Sequence, residues 1–292
     1  MPAMEPSSNR MWKGWQLSLE LAAPLHCGWR TVGNLKQTRP YVAGPVFWGA
    51  LAARLARDVF GGRYREAELW VDAKLRFTYL FPSLSRGSVT HWPWGRSAGE
   101  FDWTFLNSYV STALVNGRVK DDGMLHETEY IAPHSRGEGK KGSSQVFLTG
   151  CLWEACDWER SILDRLQLGG ERGYGWGRVR NMELKPLAEG TEVFGSWIVS
   201  EQNGEIVLSA KDCIGPLHLA AHAAATADSE LELFDTPLAE PWLGRRIRPG
   251  GGQYGLSEAV AAWAPGSALK RGLKPSFRIG ARGQWYWLDS LL

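Results

Sequence analysis

The chain has 292 residues, of which 44% are hydrophobic and 22% charged, with a net charge of +2. That length leaves room for one elaborated domain or two smaller ones around a sizeable core. The four cysteines (Cys27, Cys151, Cys156, Cys213) form no CxxC pair and no zinc spacing, and no apolar run approaches membrane-spanning length. A disulfide framework, a structural zinc module and a membrane span are therefore excluded, and a reducing cytoplasm is expected.

The charge is segregated. Residues 10 to 65 hold nine Lys/Arg against two Asp/Glu, residues 187 to 240 hold ten Asp/Glu against one Lys, and residues 241 to 282 hold eight Lys/Arg against one Glu. Two basic surfaces suited to a polyanion and an acidic one suited to a protein neighbour are expected.

In chain order, residues 1 to 9 are polar and read as a loose tail. Gln16 to Ala22 alternates as a strand, with Leu17, Leu19 and Leu21 on one face. Pro24 to Gly44 reads as a loop that carries Arg30, Lys36 and Arg39 with Trp29 and Tyr41. Val46 to Val59 repeats apolar residues at three and four and ends at Gly61-Gly62, which predicts a helix. Ala73 to Leu80 fits a strand. Phe81 to Gly123, with Pro82, Trp92, Pro93, Trp94 and an amphipathic Phe101 to Leu114, reads as a projecting insertion. Strands are expected at Leu125 to Ala132 and Gln145 to Trp153, separated by a basic loop with Lys140 and Lys141. A helix is expected at Asp157 to Leu168 and a strand at Arg178 to Leu184. Residues 191 to 292 are less legible: strands at Phe194 to Val199 and Glu205 to Ser209, an alanine-rich helix at Pro216 to Ala227, a loop from Arg245 to Gly255 with Arg246 and Arg248, and strands at Ser276 to Ile279 and Gln284 to Leu288.

The most informative stretch is LGGERGYGWGR, Leu168 to Arg178. Gly169, Gly170, Gly173, Gly175 and Gly177 give a permissive backbone whose N–H groups would face an anion. Arg172 and Arg178 would add phosphate contacts, and Tyr174 and Trp176 stacking faces for unpaired bases. A tight turn that serves only the fold is the alternative. The polarity is helix, glycines, strand, the reverse of a dinucleotide fingerprint or P-loop, and GK[ST] is absent, so no nucleotide cofactor is expected. His218 and His222, four apart on the expected helix, lack the HExxH glutamate and a third ligand; they read as surface or interface residues and no metal is expected. Asp121 and Asp122 beside Gly123 read as a solvated turn.

The order strand, helix, strand, strand, helix, strand is that of an α+β, ferredoxin-like (RRM-like) sandwich. With it, PLHCG followed by PYVAGPVFWGALAARL, LHETEYIAP and LGGERGYGWGRVR resemble the RAMP superfamily of CRISPR-associated proteins over roughly residues 15 to 185. The resemblance implies a RAMP domain at 10–190 with an insertion at about 81–123, and a C-terminal α+β region at 191–292 that resembles a degenerate second half. It implies a non-catalytic subunit of a type III-like effector that binds guide RNA near its 5′ handle, contacts other CRISPR subunits and meets target nucleic acid indirectly. The expected RNA contacts are the glycine loop with Arg172, Tyr174, Trp176 and Arg178, the first loop with Arg30, Lys36 and Arg39, and Lys140, Lys141, Arg245, Arg246 and Arg248. Target-cleaving relatives place an aspartate in the first loop; here no carboxylate lies between Glu20 and Asp58. The alternatives are a metal-independent guide-processing endoribonuclease using His26 with Lys36 and Tyr41, and an assembly protein whose RNA surface has degenerated.

Overall fold

The computed structural model describes residues 12–89, 91–112, 114–115, 118–119, 125–137, 142–211, 215–225, 228–247 and 254–288. The chain is α+β and sheet-rich. Its first half comprises β1 (Lys13–Leu21), β2 (Gly28–Val32), β3 (Leu35–Thr38), α1 (Gly44–Asp58), α2 (Tyr64–Lys74), β4 (Leu75–Phe77), β5 (Phe81–Ser83), α3 (Ala98–Phe105), β6 (Leu106–Ser111), the short pair β7 (Leu114–Val115) and β8 (Arg118–Val119), β9 (His126–Ile131), β10 (Phe147–Glu154) and β11 (Val179–Pro186). The second half comprises β12 (Glu192–Val193), β13 (Trp197–Gln202), β14 (Glu205–Ala210), β15 (Leu217–His218), β16 (Ala223–Ala224), β17 (Phe234–Thr236), β18 (Ala239–Ile247), β19 (Tyr254–Trp263), β20 (Ala268–Leu269), β21 (Ser276–Ile279) and β22 (Trp285–Trp287).

The central sheet runs β11-β1-β10-β4, all antiparallel, and β5 pairs with β10 beyond β4. Leu17, Leu19 and Leu21 of β1 alternate onto one face, as period two requires, and pack with Phe47, Leu51 and Leu55 of α1, Ala67 and Val71 of α2, and Ile162 and Leu163. Pro45 stands in the first turn of α1, where its fixed φ suits a helix start. Gly44 is required there because a Cβ would lie 1.7 Å from the Arg282 carbonyl oxygen.

The opposite face of the sheet is covered too. Along β10, Leu148 and Leu152 enter the first core, while Cys151 and Trp153 enter a second with Tyr41, Tyr79, Phe81, Trp197, Trp263, Phe277 and Trp285. Ser18 and Glu20, a polar face in sequence, are consequently buried. The Ser18 hydroxyl accepts from the Gly87 N–H, and Glu20 accepts from Arg180 and Asn181 at 2.6 and 2.9 Å.

The second half has an eight-stranded sheet, β12-β13-β14-β21-β22-β16-β19-β18, and a smaller one, β15-β20-β17. A third sheet, β2-β3-β9-β6, stands beside the first half.

Five expectations are corrected. Pro24 to Gly44 contains the β2–β3 hairpin, turned by Gly33 at φ 58°. α2 precedes β4 where no helix was expected: only Ala67 and Val71 are fully buried in a charge-rich segment, so its apolar period is faint. Asp157 to Leu168 forms only a 3-10 turn, Arg160–Arg165, because Glu159 caps the Ser161 N–H and the following residues extend toward the glycine loop. Phe81 to Gly123 is not a projection outside the core, since Phe81, Phe101 and Phe105 are fully buried and β6 pairs with β9 over six positions. The alanine-rich helix at Pro216 to Ala227 is absent among the described residues, which form β15 and β16 instead; Ala223 lies opposite Trp263 and Trp285, where a small side chain makes room for two indoles. Packing overrides helix propensity there.

A buried polar cluster joins the halves. Arg39 donates to both carboxylate oxygens of Glu240, at 2.6 and 3.1 Å, and to the Tyr41 hydroxyl at 3.1 Å. His222 meets Glu240 through Nε2 at 2.5 Å and the Tyr79 hydroxyl through Nδ1 at 2.7 Å. An ionised carboxylate only accepts, so Nε2 of His222 donates to Glu240 and Nδ1 accepts from Tyr79. Burial lowers the pKa of His222 against the opposing pull of Glu240, which keeps the ring neutral. For Glu240, burial opposes ionisation, but hydrogen bonds from His222 and Arg39 outweigh it and bring the pKa down from 4.5 to about 2.

Glu240→Gln should lower stability at neutral pH by about 3 kcal/mol, the cost of leaving one partner of a buried pair. The Glu240 pKa is depressed on folding, so its contribution is complete above pH 4.5 and disappears as pH falls toward 2. Urea melts across that range should show a flatter acid limb for the variant. An unchanged limb would assign acid sensitivity to Glu20 and Glu154, whose carboxyls are also depressed.

Candidate nucleic-acid interface

The glycine loop hangs from the segment that follows β1. The Gly177 N–H donates to the Pro24 carbonyl at 2.7 Å and the Gly170 N–H to the His26 carbonyl at 2.8 Å. Gln167 spans the loop from inside, its amide donating to the Arg172 and Trp176 carbonyls at 2.9 Å each. Arg172–Tyr174 forms one 3-10 turn, closed by Gly175 N–H donating to the Arg172 carbonyl. Two glycines have no substitute. At Gly169 (φ 70°) a Cβ would lie 2.3 Å from the His26 oxygen, and at Gly177 (φ 76°) it would lie 1.8 Å from the Leu168 oxygen.

The loop therefore does not present its backbone as a general anion nest. The N–H groups of Gly170, Tyr174, Gly175 and Gly177 are used by carbonyls of the chain itself. What it presents is side chains: Arg172 and Arg178 are exposed and Tyr174 is 83% exposed. Trp176 departs from the expected free stacking face. It is half-buried, edge-on to Tyr130 at 5.1 Å and to Tyr109 at 6.2 Å, and pins the loop to the sheet containing β9 and β6. Gly173 is exposed in open space.

Of the first-loop cations, Lys36 comes to the glycine loop, 3.5 Å from Glu171, whose backbone is held at φ 53°. Arg30 lies exposed on the edge strand β2, stacked over Trp29 at 4.2 Å and bonded to Gln37. Arg39 is removed from the surface set, because Glu240 and Tyr41 occupy its guanidinium. Arg245 and Arg246 lie in the β18–β19 hairpin, opposite Leu256 and Gly255, where a loop was expected. Lys140, Lys141, Arg248, Asp121 and Asp122 lie outside the described residues.

His26, Lys36 and Tyr41 are not assembled as a catalytic group. Tyr41 is buried in the second core, and burial pushes its hydroxyl well above the ordinary range. His26 is 8% exposed and its Nδ1 donates to the Glu129 carbonyl at 2.7 Å. His218 and His222 share no helix, and His222 is buried rather than at the surface. Among the described residues no group of three or more His, Cys, Asp or Glu could hold a metal, and no helix is long and apolar enough to cross a membrane.

Sequence reading missed Tyr109 and Tyr130. Their signal is the strand alternation of LNSYVS and HETEYI, which puts both rings on the face that receives Trp176. Tyr109 remains 57% exposed and extends the aromatic surface beyond the loop.

Gly177→Ala should destabilise the protein by more than about 1 kcal/mol, since a positive φ and a backbone collision coincide there. Gly173→Ala, with no atom within 4 Å of the added carbon, should stay within about 0.5 kcal/mol of the parent. Paired denaturant melts check both.

No protein-family model and no curated protein matches the chain by sequence. Among solved structures it is similar to a chain of the cryo-EM structure of the Type III-B Cmr-beta bound to cognate target RNA and AMPPnP, state 1, at 13% identity and a TM-score of 0.45, covering 88% of this chain and 86% of that one. It is also similar to a chain of a CRISPR RNA-guided surveillance complex, at 13% identity and a TM-score of 0.32, covering 89% of this chain and 94% of that one.

Proposed function

We propose that the chain is a guide-RNA-binding subunit of a type III-like CRISPR ribonucleoprotein. The observation that carries the reading is a pair of exposed arginines flanking an exposed tyrosine, Arg172, Tyr174 and Arg178, on a loop anchored at two points to the carbonyls of Pro24 and His26. A rigidly hung loop loses little entropy when it meets a ligand. In this reading the two guanidiniums hold successive phosphates and Tyr174 stacks on an unpaired base. Lys36 and Tyr109 extend the track along the neighbouring sheet. Single-stranded RNA suits the arrangement because its bases are open to stacking.

The reading also takes the β11-β1-β10-β4 sheet with α1 and the Arg160–Arg165 turn as a ferredoxin-like RAMP unit over about residues 10–190, and residues 191–292 as a second half, in which the expected α+β composition is replaced by strands and one 3-10 turn among the described residues. Supporting it is the element order β1, α1, β4, β10, 3-10 turn, β11, which keeps the expected order of strands and first helix with a 3-10 turn in the place of the second helix. Other subunits of the assembly would share the guide, and target nucleic acid would be met through it.

Changing Arg172 and Arg178 together to alanine should weaken binding of a single-stranded RNA. It should also lower the slope of log affinity against log salt by about 1.4, roughly 0.7 for each phosphate no longer neutralised. Tyr174→Ala should cost about 1–3 kcal/mol of affinity with the slope unchanged, because stacking carries no counterion release. Fluorescence anisotropy at several salt concentrations separates the two effects. A folded double-arginine variant that keeps both affinity and slope sinks the proposal.

A further inference from the structure

The face of the β2-β3-β9-β6 sheet turned away from the glycine loop carries a different chemistry. Tyr109 and Thr128 point toward the loop side; Ser108 with Glu129, and Val110 with Glu127 and Leu35, occupy the alternate positions. Over that second face α3 crosses, and between them lies an open groove of about 390 Å³ lined by Asp102, Trp103, Glu127, Glu129 and Arg136, among others.

We propose that this groove is a docking site for an arginine-bearing basic segment of another protein subunit, with a guanidinium seated among Asp102, Glu127 and Glu129 and stacked on Trp103. Charge complementarity selects the occupant. Three carboxylates against the one cation of the lining, Arg136, leave the groove negative, so it repels a nucleic-acid backbone and attracts a further cation. Among the described residues the Asp102 carboxylate has no hydrogen bond or ion pair, and Glu129 accepts one from the Thr38 N–H at 2.9 Å. Burial pushes the carboxyl of half-buried Glu129 above its ordinary range, so a cation brought beside it relieves an existing cost.

The preference for arginine follows from the rim. Trp103 is 56% exposed, and Arg136 already lies over its ring at 4.6 Å while reaching Asn107. A guanidinium against this indole is thus the contact the groove makes with its own chain. Guanidinium is also the cation that stacks best on an aromatic face while forking to carboxylates. Val110 and Leu125, each 54% exposed near Glu127, supply the apolar border of a protein contact rather than of a phosphate track. The inference uses the opposite face from the proposed RNA loop and stands without it.

The test is titration of the full chain with a capped Ala-Arg-Arg-Arg-Ala peptide and its lysine counterpart, each carrying a fluorophore. Binding of the arginine peptide is expected to weaken roughly tenfold in Asp102→Asn with Glu127→Gln, two charge contacts at about 0.7 kcal/mol each. Trp103→Ala should erase the preference for arginine over lysine. RNA affinity should be the same in all three proteins. Equal peptide binding by the parent and the double variant, or none by the parent at millimolar peptide, overturns the proposal. A change in RNA affinity on neutralising the carboxylates overturns it as well, by assigning the face to RNA. The RNA reading itself fails only in the arginine and tyrosine variants of the glycine loop, so the two results are distinguishable.

Discussion

Everything else in the molecule is arranged around an ion pair that has nowhere to go. Arg39 enters from the segment after β3 and Glu240 from β18, some two hundred residues later in the chain, and they meet where the two cores adjoin. An arginine cannot discharge itself by losing a proton, so the cost of burying it is met only by a carboxylate that stays ionised. His222, Tyr79 and Tyr41 complete that carboxylate and guanidinium with neutral partners. The cluster favours one relative placement of the halves, because a shifted Glu240 would leave a largely buried charge without its partner. Gly44 against the Arg282 carbonyl and Arg282 over Trp48 impose the same register from the other end of the contact.

That joint frees the remaining surface for binding. With one face of the central sheet under helices and the other under the second half, its loops and edge strands are what remains to meet a partner. The glycine loop, β2 and β3 lie together, and their exposed side chains include Arg30, Arg172, Tyr174 and Arg178 beside Trp29, Thr31 and Val32 of β2. Trp176 is spent on rigidity rather than recognition. A loop this rich in glycine would otherwise sample many shapes, and an indole wedged between Tyr130 and Tyr109 confines it.

The first half was legible because its signals are local. Alternation found β1, β9, β10 and β11, the three-and-four repeat found α1, and glycines between arginines and rings marked the loop that the fold leaves exposed. Features set by distant partners were not legible. Nothing near Arg39 in sequence reveals that Glu240 will bury it, and a run of alanines around His222 has high helix propensity unless one knows that Trp263 and Trp285 press on it. The loop's amides were misread for the same reason: their acceptors, the carbonyls of Pro24 and His26, lie about 150 residues earlier. α3 and β6 looked like part of an insertion because Pro82, Trp92, Pro93 and Trp94 just before them resemble loop composition, although Phe101 and Phe105 carry them into the core.

The place of β1 in the middle of its sheet has a consequence for how the chain comes to exist. It is made first among the strands, yet Lys13 pairs with Glu154 on one side and Trp15 with Pro186 on the other. On a ribosome its leucines wait for a first strand partner, β10, until about 130 further residues have been added, and for the second, β11, until about 165, on the order of ten seconds or more of synthesis. Pairing at that separation is slow even in a finished chain, since closing the long loop comes before any contact rewards it. The glycine loop shares this delay, because its two anchoring carbonyls immediately follow β1. A truncated chain that ended before β11 would lack the strand that holds the loop's far end, so the loop takes its anchored form late, when the sheet closes around its oldest strand.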